Sequence, residues 1–298
     1  MNKFRNVGRD EPLTAEQGQY ILDRVVFAAR RELIGRRLMP IRKIDAGTAT
    51  FGYDTLTEVA DAQIDIAWPG RESLDIVNLT RTPVAIPTIH KEFLINKLDL
   101  AASRQTGTPL NTTNAESAGY KVGLAEDSLL ILGYTKDGTT YDINGLYNAA
   151  GNSEATASTW DDDPGAAATG IPHSINTAIA ALMATNIFPP YNLTLNPVQY
   201  NQAAVFIANT AVPYLTWIKE RIGGEIYPTA SIAAGTGMLT KANPVGMFEF
   251  VVAEDFTVET EIQTAREGSG LFGRVYVRGL PIVYDSYAIC KLTDLVGG

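Results

Sequence analysis

The sequence predicts an α+β chain in which a leading amphipathic helix is followed by an extended arm, a mixed helical and stranded body, and a strand-rich end. Three observations predict it. Apolar residues recur at helical spacing behind residue 14, period-two alternation with one polar face fills residues 45–68, and strand-like alternation dominates residues 246–292. With 298 residues, 45% hydrophobic and 19% charged, the chain can bury a substantial core and is neither disordered nor fibrous in composition.

Thr14 with Gln17 reads as a capping box, behind which Ile21, Leu22, Val25, Val26, Ala29 and Leu33 follow at helical spacing up to Gly35, the expected stop. Arg30, Arg31, Arg36 and Arg37 gather at this end, where cations suit the negative end of the helix dipole. In the arm, Ala60, Ala62, Ile64, Ile66 and Trp68 alternate with Asp61, Gln63 and Asp65. A two-stranded arm is marginal alone in water, so it is expected to lie on something else, a neighbouring subunit being one candidate. Residues 86–95 read as a further strand and 98–104 as a short helix ending at Gly107.

Thr113 with Glu116 gives a second capping box, opening a helix with Ala115, Ala118, Val122, Ala125, Leu129 and Leu132 on one side and Gly133 as its stop. At about twenty residues it spans roughly 30 Å. Residues 148–172 lack periodicity and read as a surface loop. Ser174 is expected to cap a helix reaching Ile187, residues 192–195 to form a short strand, Asn196-Pro197 to open another helix, and Tyr214 to Ile222 to form a third closed by Gly223-Gly224. Four strands are expected beyond it, at 246–253, 257–266, 271–278 and 282–292.

The net charge of -9 argues against a surface that grips nucleic acid throughout, since such binding rests on Lys and Arg. Cys290 is the single cysteine, which excludes an intrachain disulfide and reads as a small buried hydrophobe in a late strand. The polar N-terminus has no apolar signal region and no run of 18 apolar residues occurs, so neither classical secretion nor a membrane span is expected.

Candidate chemistry is thin. Gly268, Gly270 and Gly273 match the dinucleotide pattern by letter, but Arg274-Val-Tyr-Val-Arg follows, which alternates like a strand, whereas the motif needs a helix there. His90 and His173 stand far apart with no second ligand near either, and the acidic run at 161–163 lacks the alternate spacing of a calcium loop. Glu126-Asp127 lies on the long helix, where adjacent residues point to different faces, so one of the two is expected to make a structural ion pair. No catalytic, cofactor-binding or metal-binding residue is assigned.

Pro12-Leu-Thr-Ala-Glu-Gln, the helix, and Leu33-Ile-Gly-Arg-Arg resemble the opening of encapsulins, in which a Pro-Leu-Thr start and a Gly-Arg-Arg or Gly-Arg-Lys helix end recur. The likeness continues in order through the extended loop, a strand and short helix over 93–107, the long spine helix with Glu126-Asp127, and the Asn144-Gly145-Leu146 turn. That family shares the tailed-phage major capsid fold. The resemblance implies an N-terminal helix and arm at 1–43, an extended loop at 44–82, a peripheral domain at 83–147 and 255–298 holding the spine helix, and an axial domain at 148–254 that includes the loop at 148–172.

What the resemblance implies for function is a structural shell protein, not an enzyme, whose main partner is itself, in pentamers with or without hexamers of an icosahedral shell. Two contents are open. In a virion, the chain is the major capsid protein of a tailed virus or provirus around its DNA genome, with portal and cement proteins as further partners. In a cytoplasmic encapsulin nanocompartment it encloses a cargo enzyme. The loop at 148–172 and Asn144-Gly-Leu-Tyr-Asn148 look more like virion proteins, which ranks the virion first. In an encapsulin, Ile21, Val25 and Leu33 would stand near an interior groove for a cargo peptide; in a virion, Arg30, Arg31, Arg36 and Arg37 would face the genome. In either, Ile64, Ile66 and Trp68 belong to the intersubunit arm, and no cofactor or membrane is implied. A nucleotide-binding enzyme built on Gly268, Gly270 and Gly273 is the remote alternative.

Overall fold

The structure is a computed structural model that describes residues 4–6, 15–29, 33–56, 79–96, 99, 112–136, 141–155, 160, 164–166, 170–263 and 270–295. In chain order the elements are β1 (Phe4–Asn6), α1 (Ala15–Ala29), α2 (Gly35–Leu38), β2 (Ile41–Lys43), β3 (Thr50–Leu56), β4 (Leu79–Ala85), β5 (Thr88–Asn96) and α3 (Thr113–Ile131). There follow β6 (Gly133–Thr135), β7 (Tyr141–Asn144), α4 (Leu146–Ala149), β8 (Asn152–Ala155), α5 (Ile171–Ala184), β9 (Tyr191–Leu195), α6 (Pro197–Ala203), α7 (Tyr214–Ile222) and β10 (Ile226–Pro228). The end is β11 (Gly237–Lys241), β12 (Phe248–Gln263), β13 (Gly270–Val283) and β14 (Ile289–Thr293).

One sheet has the order β1-β12-β13-β5, with β2 also paired to β12. A second has the order β10-β9-β11-β14-β8. Helix α3 lies against the first sheet and α1 lies on α3. Small residues make this stacking close: a Cβ on Gly119 would stand 2.8 Å from the Val25 carbonyl oxygen. Ile21, Leu22 and Val25 of α1 pack there with Ala115, Ala118 and Val122 of α3 and with Phe93, Ile95, Phe256, Val258, Val275 and Val277 of the sheet. Burying such aliphatic and aromatic side chains stabilises by about 1.5–3 kcal/mol each. A second core joins α5 and α7 to the second sheet through Ile175, Ile179, Leu182, Ile218, Leu193, Leu239 and Leu292. Among the described residues no helix is long and apolar enough to cross a membrane.

Several expected boundaries move, each for a reason visible in its contacts. Gly35 opens α2 instead of stopping the first helix, because its N–H and that of Ile34 are taken by Asp127. The N-cap of α3 is Thr112, one residue earlier than expected, and its hydroxyl donates to the Glu116 carboxylate at 2.8 Å. Ser174 sits a turn inside α5, which begins at Ile171 with Pro172 in its first turn, the place where a missing N–H is harmless. There Ser174 accepts from Trp160 Nε1 at 3.2 Å. Asn196 does cap α6, accepting from Val198 N, and Gly223, in the left-handed region at φ 67°, closes α7.

The expected four late strands are two long ones and a short one. The break in alternation near Ala253 is absorbed as irregular register between Val252 and Thr257 inside β12, so the ladder with β13 resumes beyond it. Asp285 then caps a single 3-10 turn, Ser286–Ala288, that sends the chain into β14 of the second sheet. Strand β14 thus belongs to the second sheet, whereas β12 runs in the first sheet from Phe248 onward.

The arm rests on its own subunit at its root. Strands β3 and β4 pair from Thr50↔Ala85 to Leu56↔Leu79. Phe51, Tyr53 and Val84 pack on Val251, Ala253, Leu280 and Ile282 of the first sheet. The expected support for the arm is therefore, at its root, the subunit's own first sheet. The alternating stretch with Ile64, Ile66 and Trp68 lies outside the described residues, as do Arg30, Arg31 and the acidic run at 161–163.

Cys290 is fully buried in β14. Burial, helped by the charge of Glu154, pushes its thiol up to about 12, so almost no thiolate forms at neutral pH. The native protein is expected to resist a thiol reagent for hours and to react fully once unfolded. Rapid labelling of the native chain would show that β14 opens.

The letter pattern of glycines is explained by strand packing. Gly270 opens β13, where a Cβ would stand 2.3 Å from the Ile95 carbonyl oxygen. Gly273 lies opposite Phe93 in register, and a Cβ there would stand 2.1 Å from Phe93 Cζ. A strand, not a helix, follows these glycines, so the nucleotide-binding alternative loses its motivation; Gly268 lies outside the described residues.

Candidate functional site

The most concentrated polar chemistry among the described residues lies where the chain turns from α1 into α2 and meets α3. Glu126 and Asp127 occupy the buried side of α3 at 2% and 5% exposure, a costly place for two carboxylates. Each is met by a different set of donors. Asp127 Oδ1 accepts from the N–H groups of Ile34 at 2.8 Å and Gly35 at 2.7 Å, and Oδ2 accepts from the Ser231 hydroxyl at 3.0 Å. A distant carboxylate thereby serves as the cap that α2 lacks locally.

Glu126 takes the guanidinium of Arg36 in a two-pronged contact, Nε to Oε1 at 2.5 Å and Nη2 to Oε2 at 3.2 Å. Arg36 Nη2 also lies 2.9 Å from Asp255 Oδ1, where the β12 ladder is irregular. The guanidinium stands over the rings of Phe250 and Phe256, at 5.7 and 5.1 Å from their centroids. Burial works against its charge, but Glu126 and Asp255 outweigh burial and hold Arg36 above its ordinary value. Burial pushes the Glu126 carboxyl above the usual carboxylate range against the pull of Arg36. Charges this well matched act as a structural lock between α2, α3 and β12.

Beside the lock is a cavity of about 170 Å³ lined by Leu33, Arg36, Arg37, Glu126, Asp127, Leu130 and Phe256. The nominated interior residues divide around it. Leu33, Arg36 and Arg37 reach it, and Arg37 is exposed. Arg36 is engaged by Glu126 and Asp255 within the subunit. Ile21 and Val25 are fully buried against α3 and offer no surface of their own. The outward side of α1 carries Tyr20, Arg24 and Phe27, with Phe27 72% exposed and Arg24 over the Tyr20 ring. Sequence reasoning missed Asp255, Ser231 and both phenylalanines, and it foresaw one ion pair from Glu126-Asp127.

The family model described as "Encapsulating protein for peroxidase", Linocin_M18, matches residues 5–267. The chain belongs to this encapsulin family. Among the encapsulins it is similar to the type 1 encapsulin shell protein EncA of Myxococcus xanthus, at 26% identity over 80% of each chain. A diheme-cytochrome-encapsulin shell fusion protein of Kuenenia stuttgartiensis is 22% identical over 86% of this chain and 68% of its own. In fold, this encapsulin-family chain is similar to a virus-like particle protein from Pyrococcus furiosus, with a TM-score of 0.63 and 19% identity over 92% of this chain and 98% of that one. The capsid protein of Myoviridae phage XM1 follows it with a TM-score of 0.64 and 14% identity over 88% and 91%. The tailed-phage capsid fold is therefore the fold of this encapsulin-family chain, and its family is one of shell-forming structural proteins, although one relative is fused to a cytochrome.

Proposed function

We propose that copies of this chain assemble into a closed icosahedral shell of the encapsulin kind, enclosing a cargo protein in the cytoplasm. The observation that carries the reading is the match of an encapsulating family over residues 5–267. The sequence alone ranked a virion first, and the phage capsids support that second reading through their fold likeness at 14% identity. Relatedness in sequence is to encapsulin shells, so the encapsulin reading takes precedence. In it, the outward side of α1 with Tyr20 and Phe27, and Leu33 and Arg37 at the cavity, face the interior. Ile21 and Val25 act by seating α1 on α3.

The contents of purified particles test the reading. Particles from the native host are expected to hold one enriched protein other than the shell subunit, identified by mass spectrometry, and no nuclease-protected DNA. Particles filled with DNA of uniform length would establish the virion instead.

A further inference from the structure

The chain leaves β2 for the β3–β4 hairpin through a turn at residues 45–48, closed by Thr48 N donating to the Asp45 carbonyl at 3.0 Å. Gly47 stands within it, and nothing lies within 4 Å of the place a Cβ would take. Packing does not demand glycine here. What glycine brings is torsional freedom at the base of the arm.

Arg278 of β13 reaches across that freedom. Its Nη1 donates to the Ala46 carbonyl at 2.6 Å and its Nη2 to the Thr48 carbonyl at 2.9 Å, so one planar guanidinium grips the backbone on both sides of Gly47. Glu254, its cross-strand partner on β12, lies 3.8 Å from Nη1 and draws the fork toward the sheet. A fork of fixed geometry sets two carbonyls at once, which an ammonium on a flexible stem cannot do. On the other side of the root, Tyr284 donates to Glu249 at 2.6 Å, Arg42 donates to the same carboxylate oxygen at 3.1 Å, and Tyr53 meets the Tyr284 ring edge-on at 6.0 Å.

We propose that Arg278 is a positioning residue for assembly: it locks the Gly47 turn so that the β3–β4 arm leaves every subunit in one direction, the direction a neighbouring copy must meet. The inference rests on the reading that the chain builds a shell. Ala46 is exposed and Thr48 half-buried, so water can take over both carbonyls when the guanidinium is removed. Loss of Arg278 therefore leaves the subunit folded, with Phe51, Tyr53 and Val84 still on the sheet, and widens the range of directions the arm can take from its turn.

The test compares full-length wild type, Arg278→Ala, Arg278→Lys and Arg274→Ala by circular dichroism and by electron microscopy of particles. Arg274 is a control on the same strand, since its contact with Glu92 is an exposed pair worth little. All four are expected to share one dichroism spectrum. Arg278→Ala is expected to place about tenfold less protein in particles at equal concentration, with a broadened spread of diameters. Arg278→Lys should resemble it, and Arg274→Ala should match wild type. Adding Gly47→Ala, which fits without a clash and stiffens the turn, should restore part of the yield to Arg278→Ala. Wild-type yield and diameter in Arg278→Ala would overturn the proposal, as would loss of its folded spectrum, which would make Arg278 a folding residue. A wild type that forms no particles would instead fail the shell reading itself.

Discussion

Arg36→Ala is expected to lower the melting temperature by about 10 °C, because it leaves the Glu126 carboxyl, 2% exposed, without its guanidinium, so that it must hold an unpaired buried charge or take up a proton. Removing one partner of a buried pair costs about 3–5 kcal/mol, several times what an exposed pair is worth. Asp255 loses a partner in the same step, and Phe250 and Phe256 lose the cation over their rings. The double change Arg36→Met with Glu126→Leu should recover much of the loss, since a buried pair replaced by apolar side chains of similar volume is often neutral. Calorimetry of the single and double variants checks both statements. A single variant as stable as wild type would mean that the lock between α2, α3 and β12 does not hold the junction.

Gly273→Ala is expected to destabilise by about 1–3 kcal/mol through overpacking. The added methyl would stand 2.1 Å from Cζ and 2.6 Å from Cε1 and Cε2 of Phe93, itself 6% exposed in the core under α3. The ring sits in a fully packed cluster with Val258 and Val275, which limits how far it can move. Shortening it, as in Gly273→Ala with Phe93→Leu, should return part of the loss, giving a favourable coupling in a double-mutant cycle. If Gly273→Ala were neutral, the glycine would need an explanation other than the aromatic ring across the ladder.

Periodicity made the long elements legible. The apolar residues of α1 and α3, the glycine stops at Gly133 and Gly223, and the Asn196-Pro197 start of α6 all follow from rules that act over a single turn. What stayed hidden depends on distance in sequence. Asp127 caps a helix some ninety residues before it, and Ser231 joins the same carboxylate from another hundred residues on. No local pattern carries such a partnership, and the one available signal was two adjacent acids in the largely apolar second half of the helix. The fusion of the late strands was hidden for a related reason: a bulge breaks alternation in sequence exactly as a loop does, and only the partner strand tells the two apart. The alternation at 60–68 lies outside the described residues, and the cis contacts of Phe51, Tyr53 and Val84 stayed hidden because they depend on a sheet two hundred residues later. Self-assembly was read from resemblance, and relatedness to encapsulin shells supports it.

Sedimentation of the purified chain tests the central claim most directly. A subunit of 32.2 kDa that builds icosahedral shells should run at micromolar concentration as a narrow boundary of at least sixty copies, near two million daltons, with little slower material. A single boundary at the mass of one chain, unchanged as concentration rises, would contradict the account.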